Sequence, residues 1–259
     1  MADMADRIST ARRLLVLGAP AALWGTSWLS GLALAQSSAT LATIFLSRLA
    51  RVPDQHVGGE ILREVYARLN IKIDFIDVEA KRALALSNAG ETDGEIQRIA
   101  NISKDYPALI QLSPPINYIE PTVFTTTLKF DVQGWESIRD YQIGIVRGVG
   151  SSEAGTRGMS QVQRATSLSD LIEMLDRDRF DLLVTDLFSG RVEIKKMHLE
   201  SRIQPILPPL QRIYVYHYLH ERHRVLIPRI EAVIQQMTES GELEQLRAKL
   251  VSEMLQQIG

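Results

Sequence analysis

Cysteine is absent from all 259 residues. That removes disulfides, thiolate metal sites, a cysteine nucleophile and a lipid-bearing N-terminal cysteine in one step. An excess of charge is missing too, because the formal net charge is only −2. With no basic footprint, nucleic acid is excluded as an expected partner. There is no Gly-x-Ser-x-Gly elbow, no phosphate loop carrying its lysine and no histidine-containing zinc motif. Internal repeats and low-complexity stretches are likewise lacking. What remains is a chain with 45% hydrophobic and 23% charged residues, a globular balance.

The first 35 residues read as an address. Arg12 and Arg13 precede an apolar stretch, 14–34, that ends in Ala33-Leu34-Ala35 before Gln36. A positive region, an apolar region and a small-x-small site make a secretory signal peptide cleaved after Ala35. Gly18, Pro20, Gly25 and Gly31 break the stretch and argue against its rival, a retained membrane helix. The paired arginines suit the twin-arginine route, but Ala11 stands where serine or threonine belongs, so general secretion stays equally open. Removing Arg7, Arg12 and Arg13 with Asp3 and Asp6 takes away +1 and leaves a mature chain at −3.

From residue 39 onward strand and helix signals alternate, as in α/β folds. Strands are expected at 41–46, 71–76, 94–96, 141–146, 180–185 and 202–207. Ile61, Leu62, Val65, Tyr66 and Leu69 form one helical stripe closed by Asn70, and 81–88 is a second helix. Ser167 and Asp170 form a capping box before Leu168, Leu171, Ile172 and Leu175. Ile227, Ile230, Val233, Ile234 and Met237 mark one C-terminal helix; Leu243, Leu246, Leu250, Met254 and Leu255 mark another. Two β-rich crossings, 116–127 and 210–219, bracket a self-contained α/β block. The expected organisation is a two-lobed α/β protein with two hinge strands. Lobe 1 takes 36–127, lobe 2 takes 128–212, and 213–259 returns to lobe 1 as a hinge strand and C-terminal helices. Such folds close around a ligand held between the lobes.

Several segments carry a resemblance. "GGEILREVYARLNIKIDF", "RALALSNAGETDGEIQRI", "WESIRDYQIGIVRGVGSSE" and "LIEMLDRDRFDLLVTD" stand in the order of the first helix and second strand, the acidic third strand, the opening of the second lobe and its late helix–strand pair. Over most of 40–255 the chain resembles the family-3 extracellular solute-binding proteins of amino-acid importers, in a divergent branch. The resemblance implies a type II periplasmic-binding-protein fold and a non-enzymatic periplasmic receptor. It implies a small polar ligand, an amino acid or related carboxylate or amine, and an ABC-type membrane transporter as partner. An exported sensory or partner-binding protein is the alternative, and a small periplasmic lyase or dehydratase a third. The chain is expected to be monomeric and to need neither cofactor nor metal. In the family an aromatic-bearing loop after the first strand covers the ligand, whereas "SRLARVPDQHVGG" contains no aromatic residue.

The resemblance implies that Arg98 grips a ligand carboxylate through a bidentate, charge-assisted pair; the plain alternative is a partner for Glu95 or Asp93. Asp186 ends an apolar strand, where α/β folds place ligands, and the family uses an aspartate there for the ligand's ammonium; it also suits a helix N-cap. The turn Gly148-Val149-Gly150-Ser151-Ser152 exposes backbone N–H groups beside Arg147 and suits an anion, or is an ordinary strand-to-helix turn with Ser151 or Ser152 as cap. Among possible acids Glu60, Glu95 and Glu153, Glu95 is favoured because it shares a segment with Arg98. Tyr118 and Phe124 lie near the first crossing, where a cleft opens. Tyr214, Tyr216 and Tyr218 share one strand face, while His217 and His220 point to opposite faces and so make poor joint metal ligands.

Overall fold

A computed structural model describes residues 43–50 and 52–258. The expected signal peptide lies outside the described residues, as does the start of the first expected strand. No helix among the described residues is long and apolar enough to cross a membrane. The described residues form one compact unit.

Two sheets organise it. The first contains β1 (Ile44–Leu49), β2 (Ile73–Val78), β3 (Gly94–Ile99), β4 (Leu109–Gln111), β5 (Asn117–Ile119) and β11 (Ile213–His220). Its order is β2-β1-β3-β11-β4, with β5 also paired to β11. The parallel β1–β2 and β1–β3 pairs need crossover helices, supplied by α1 (Pro53–Ala67) and α2 (Ala80–Asn88). The second sheet has the order β10-β6-β9-β7-β8, from β6 (Pro121–Thr125), β7 (Ile143–Val146), β8 (Val162–Ala165), β9 (Leu182–Asp186) and β10 (Gln204–Ile206). Its helices are α3 (Gly150–Gly155), α4 (Leu168–Asp176) and α5 (Leu187–Lys196). Helices α6 (Ile227–Glu239) and α7 (Glu242–Gln257) follow β11. This is the two-lobed α/β architecture with two hinge strands.

The crossings run side by side. Only Glu120 separates β5 of the first sheet from β6 of the second, so β6, expected within lobe 1 (36–127), pairs with the strands of lobe 2. The return path is bonded to it where Leu210 N donates to Pro121 O at 2.8 Å and Ile213 pairs with Ile119.

Half of the expected capping box forms: Ser167 caps α4, its Oγ accepting from Asp170 N at 3.2 Å, without a return bond to the Asp170 carboxylate. Helix α1 departs from expectation. It begins at Pro53, well before the apolar stripe, so part of the loop expected after β1 is helical. Pro53 suits the first helical position and Asp54 the positive N-terminus, and both are buried. Val57, Ile61, Leu62, Val65 and Tyr66 then fill the lobe 1 core. Into the same cluster come Phe188 and Val192 from α5 of lobe 2. Strands β4 and β8 escaped the sequence reading because each is only three or four residues long and neither shows an apolar alternation.

Candidate functional site

At the junction of the lobes stand two carboxyl groups, Asp54, buried in the first turn of α1, and Asp186, the half-buried N-cap of α5. Asp54 is held by carboxamides: Asn117 Nδ2 donates to its Oδ1 at 3.1 Å, and Gln97 Nε2 donates to its Oδ2. Asn117 Nδ2 also reaches Gln97 Oε1 at 3.1 Å. Asp186 takes the two roles open to it in the sequence at different atoms. Its Oδ2 accepts from Ser189 N at 3.0 Å, the N-cap of α5, while Oδ1 accepts from Glu120 N at 2.9 Å and so grips the first crossing. Burial raises both acids above the usual carboxylate range. Asp54 is pushed to about 8, by burial first and by the charge of Asp186 second.

One guanidinium acts on both acids, that of Arg247 from α7. Its Nε donates to Asn117 Oδ1 at 2.7 Å, a terminal nitrogen donates to Tyr118 Oη at 3.0 Å, and it lies 3.7 Å from the centre of the Tyr118 ring. Arg212, paired with Glu120 at 2.6 Å, approaches the same ring at 4.2 Å. Tyr118 is therefore flanked by two cations, with Tyr214 packed edge-on at 6.4 Å.

Arg98 and Glu95 face one another instead of the acid pair. Arg98 Nε and a terminal nitrogen both donate to Glu95 Oε2, at 2.8 and 2.6 Å. Residues i and i+3 of a regular strand point to opposite faces. Here the ladder shifts: Tyr216 pairs with Arg98 and Tyr218 with Glu95, so three steps on β3 oppose two on β11. That bulge turns both side chains to one face. Ser87 Oγ donates to Glu95 Oε1 at 2.5 Å, and burial raises the Glu95 carboxyl despite Arg98.

The Gly148–Ser152 turn stands on lobe 2. Gly148 has φ +84°, left-handed backbone that suits glycine, and its N–H donates to Glu153 Oε1 at 2.8 Å. Ser151 and Ser152 are buried in the first turn of α3, and Arg147 is exposed. A Cβ on Gly150 would lie 3.8 Å from Ile99 Cδ1, so this turn meets the end of β3, one residue beyond Arg98. Phe124 is buried in lobe 2.

His217 is wholly buried. Its Nδ1–H donates to Glu95 O at 2.8 Å, so Nε2 accepts from Tyr66 Oη, also at 2.8 Å. Burial lowers it to about 4, keeping it neutral. His220 lies instead at the Arg222 turn, its Nδ1 accepting from Arg222 N at 3.2 Å. Tyr218 is buried, its hydroxyl between Ile99 O and Gln111 Oε1, whereas Tyr214 is 53% exposed.

The sequence reading missed Asp54, Gln97, Asn117 and Arg247. Only Asp54 carried a local signal, an acid directly after a proline at a helix start.

No family model matches the chain. An uncharacterized protein of Shewanella oneidensis is 23% identical over 193 residues, 72% of this chain and 73% of its own. A histidine kinase sensor domain with similarity to periplasmic binding proteins superposes with a TM-score of 0.65 at 17% identity, over 80% of this chain and 95% of its own. The substrate-binding protein of an amino-acid ABC transporter from Streptococcus pneumoniae, bound to L-arginine, superposes with a TM-score of 0.65 at 12% identity, over 82% and 96%. At these identities the likeness is one of fold, and the fold is that of the two-lobed periplasmic binding proteins.

Proposed function

We propose that the protein is a non-enzymatic receptor working outside the cytoplasmic membrane, which takes a small ligand bearing a cationic group between its lobes. One observation carries the reading: Asp54 of lobe 1 and Asp186 of lobe 2 both accept hydrogen bonds from the first crossing, from Asn117 and Glu120, three residues apart. An ammonium or guanidinium bridging them would tie the lobes together, and a structural neighbour of the same fold holds L-arginine. Arg98 and the Gly148–Ser152 turn, across the Ile99–Gly150 contact, are the groups available for a ligand carboxylate. Opening and closing about the two crossings then gives a membrane partner two forms to distinguish.

A test is thermal unfolding against amino acids, small carboxylates and amines. A ligand that binds only the native state stabilises it by about 2.7 kcal/mol at a hundredfold excess over its Kd. A shift with cations that Asp186→Ala abolishes, in a variant that still folds, supports the reading. An Asp186→Ala protein that responds like the parent would leave the aspartate as cap and crossing anchor alone.

A second reading, a sensor whose lobes are held together by its own contacts, draws on α5. Phe188 and Val192 pack into the lobe 1 core, and Lys195 Nζ donates to Leu255 O of α7 at 2.8 Å. The fold likeness to a histidine kinase sensor domain suits it. A ligand-free protein as compact in solution as the liganded one would favour it over capture and delivery.

A further inference from the structure

Buried polar groups are nearly always hydrogen-bonded, because an unpaired one forfeits the bond it made with water. Among the described residues two enclosed side-chain oxygens have no hydrogen-bond partner, Asp176 Oδ1 and Ser189 Oγ. The first still faces the Arg202 guanidinium at 3.1 Å. Ser189 has no such relief, although only 5% of it is exposed. It lies in the first turn of α5, next to Phe188, which packs into the lobe 1 core. Its backbone N–H donates to Asp186 Oδ2 at 3.0 Å. Burial raises that carboxyl, and the Ser189 side chain stands close enough to oppose the rise, but outside hydrogen-bonding geometry. Asp186 has acceptor capacity left as well. It is half-buried, and its two oxygens accept one bond each, Oδ1 from Glu120 N at 2.9 Å and Oδ2 from Ser189 N. A carboxylate oxygen has two lone pairs, so each keeps one unused, and the hydroxyl adds its own. One turn of α5 thus gathers acceptors that no donor of the described residues fills.

From this arrangement we propose that Ser189 is a further ligand-binding residue, its hydroxyl accepting an N–H of the ligand cation whose charge Asp186 holds. The proposal rests on the receptor reading above and narrows its ligand class. When the lobes part about the crossings, α5 leaves lobe 1 and this turn meets solvent. The cation must carry at least two N–H bonds, one for the carboxylate and one for the hydroxyl, as a primary ammonium or a guanidinium does. A quaternary ammonium brings the charge without any N–H. It leaves the enclosed hydroxyl unpaired and is refused, as sites built to pair a polar group refuse analogues that lack it.

The experiment is isothermal titration of the full chain, parent and Ser189→Ala, together with thermal unfolding of both without ligand. The probes are L-arginine, L-lysine and putrescine, with the fully N-methylated analogues of the last two, which keep the charge and lose every N–H. Ser189→Ala removes an enclosed atom that nothing in the chain holds, so the ligand-free variant should unfold at or above the parent's midpoint. Its affinity for the N–H probes should nevertheless fall about tenfold or more, the weight of a hydrogen bond to a charged group. The methylated analogues should bind the parent at least about tenfold more weakly than their N–H forms, and the variant no worse than the parent. A variant midpoint below the parent's would show that the hydroxyl has a partner within the chain, and overturns the proposal. Unchanged affinity in Ser189→Ala, with Asp186→Ala still abolishing binding, overturns it and leaves the receptor reading standing. A loss shared by N–H and methylated probes marks altered shape instead of a lost bond, and overturns it too. No binding of any probe to the parent removes the proposal and the cationic-receptor reading together.

Discussion

Replacing Arg98 by methionine should unfold this protein far more readily than the loss of a surface arginine would. The pair it forms with Glu95 is enclosed: 11% of the Arg98 side chain and 1% of the Glu95 side chain reach solvent. Methionine keeps much of the stem and its packing but strips the charge, leaving Glu95 with Ser87 Oγ as its one remaining side-chain donor. Stranding one member of a buried pair costs about 3–5 kcal/mol. For a chain of this size that is a drop of roughly 6–20 °C in unfolding midpoint. The penalty should also depend on pH in a defined direction. Burial already raises Glu95, and without Arg98 it would rise further. A carboxyl whose folded value lies above its unfolded value favours the fold below the unfolded value and loses that contribution as pH rises through the folded one. The gap between variant and parent should therefore be widest near pH 8 and shrink toward pH 5. Glu95→Gln added to Arg98→Met removes the stranded charge and should recover a large part of the loss. The assay is thermal or urea unfolding of parent, single and double variants at both pH values. An Arg98→Met protein within about 1 kcal/mol of the parent at pH 8, with no rescue by Glu95→Gln, would refute the ion-pair argument and return Arg98 to ligand duty alone.

Two further outcomes follow from the packing. Phe188 is 5% exposed within the lobe 1 cluster although it belongs to α5 of lobe 2, so Phe188→Ala should cost about 3–5 kcal/mol. It should also enlarge the radius of gyration in solution scattering, and an unchanged radius would show that α5 does not hold the lobes. Burial alone would raise Asp93, but hydrogen bonds from His223, Phe45 N and Arg222 outweigh it and hold the carboxyl down to about 2. Its contribution is present above the ordinary value of 3.8 and lost as pH falls toward 2, and a shift of nearly two units corresponds to about 2 kcal/mol. Urea midpoints of parent and Asp93→Asn should accordingly differ at pH 7 and draw steadily together as pH falls from 4 toward 2; a constant gap would mean the loss is steric.

Local chemistry wrote much of the architecture into the chain in readable form. Ser167 and Asp170 are three residues apart, so the N-cap bond between them needs nothing from the rest of the molecule. The apolar run from Leu182 to Val184 and the stripe from Ile61 to Tyr66 announce a strand and a helix because burial imposes periods of 2 and 3.6 on any element with an inner face. Alternation of such elements, broken by two β-rich crossings, is enough for a two-lobed α/β protein.

The site was legible in part. Asp186 stands out because a strand of apolar residues ends on it, and its N-cap role is a contact across three residues. That it also holds Glu120 N of the first crossing depends on a segment 66 residues away, and no short-range pattern encodes that. The early start of α1 has a similar cause: Asp54 and Gln55 look like loop residues until Gln97 of β3 and Asn117 of β5, far along the chain, supply their hydrogen bonds. Arg98 and Glu95 should point apart on a regular strand, and only a register shift against β11, more than a hundred residues away in sequence, turns them together. Arg247 sits on a helix with no buried residue of its own and gains its role solely from the crossing it covers. Sequence by itself determined the elements and their order, because those follow from each residue's near neighbours. Tertiary structure alone decided which charges meet, because the pairing of buried charges depends on how distant segments are packed and on what that packing excludes from water.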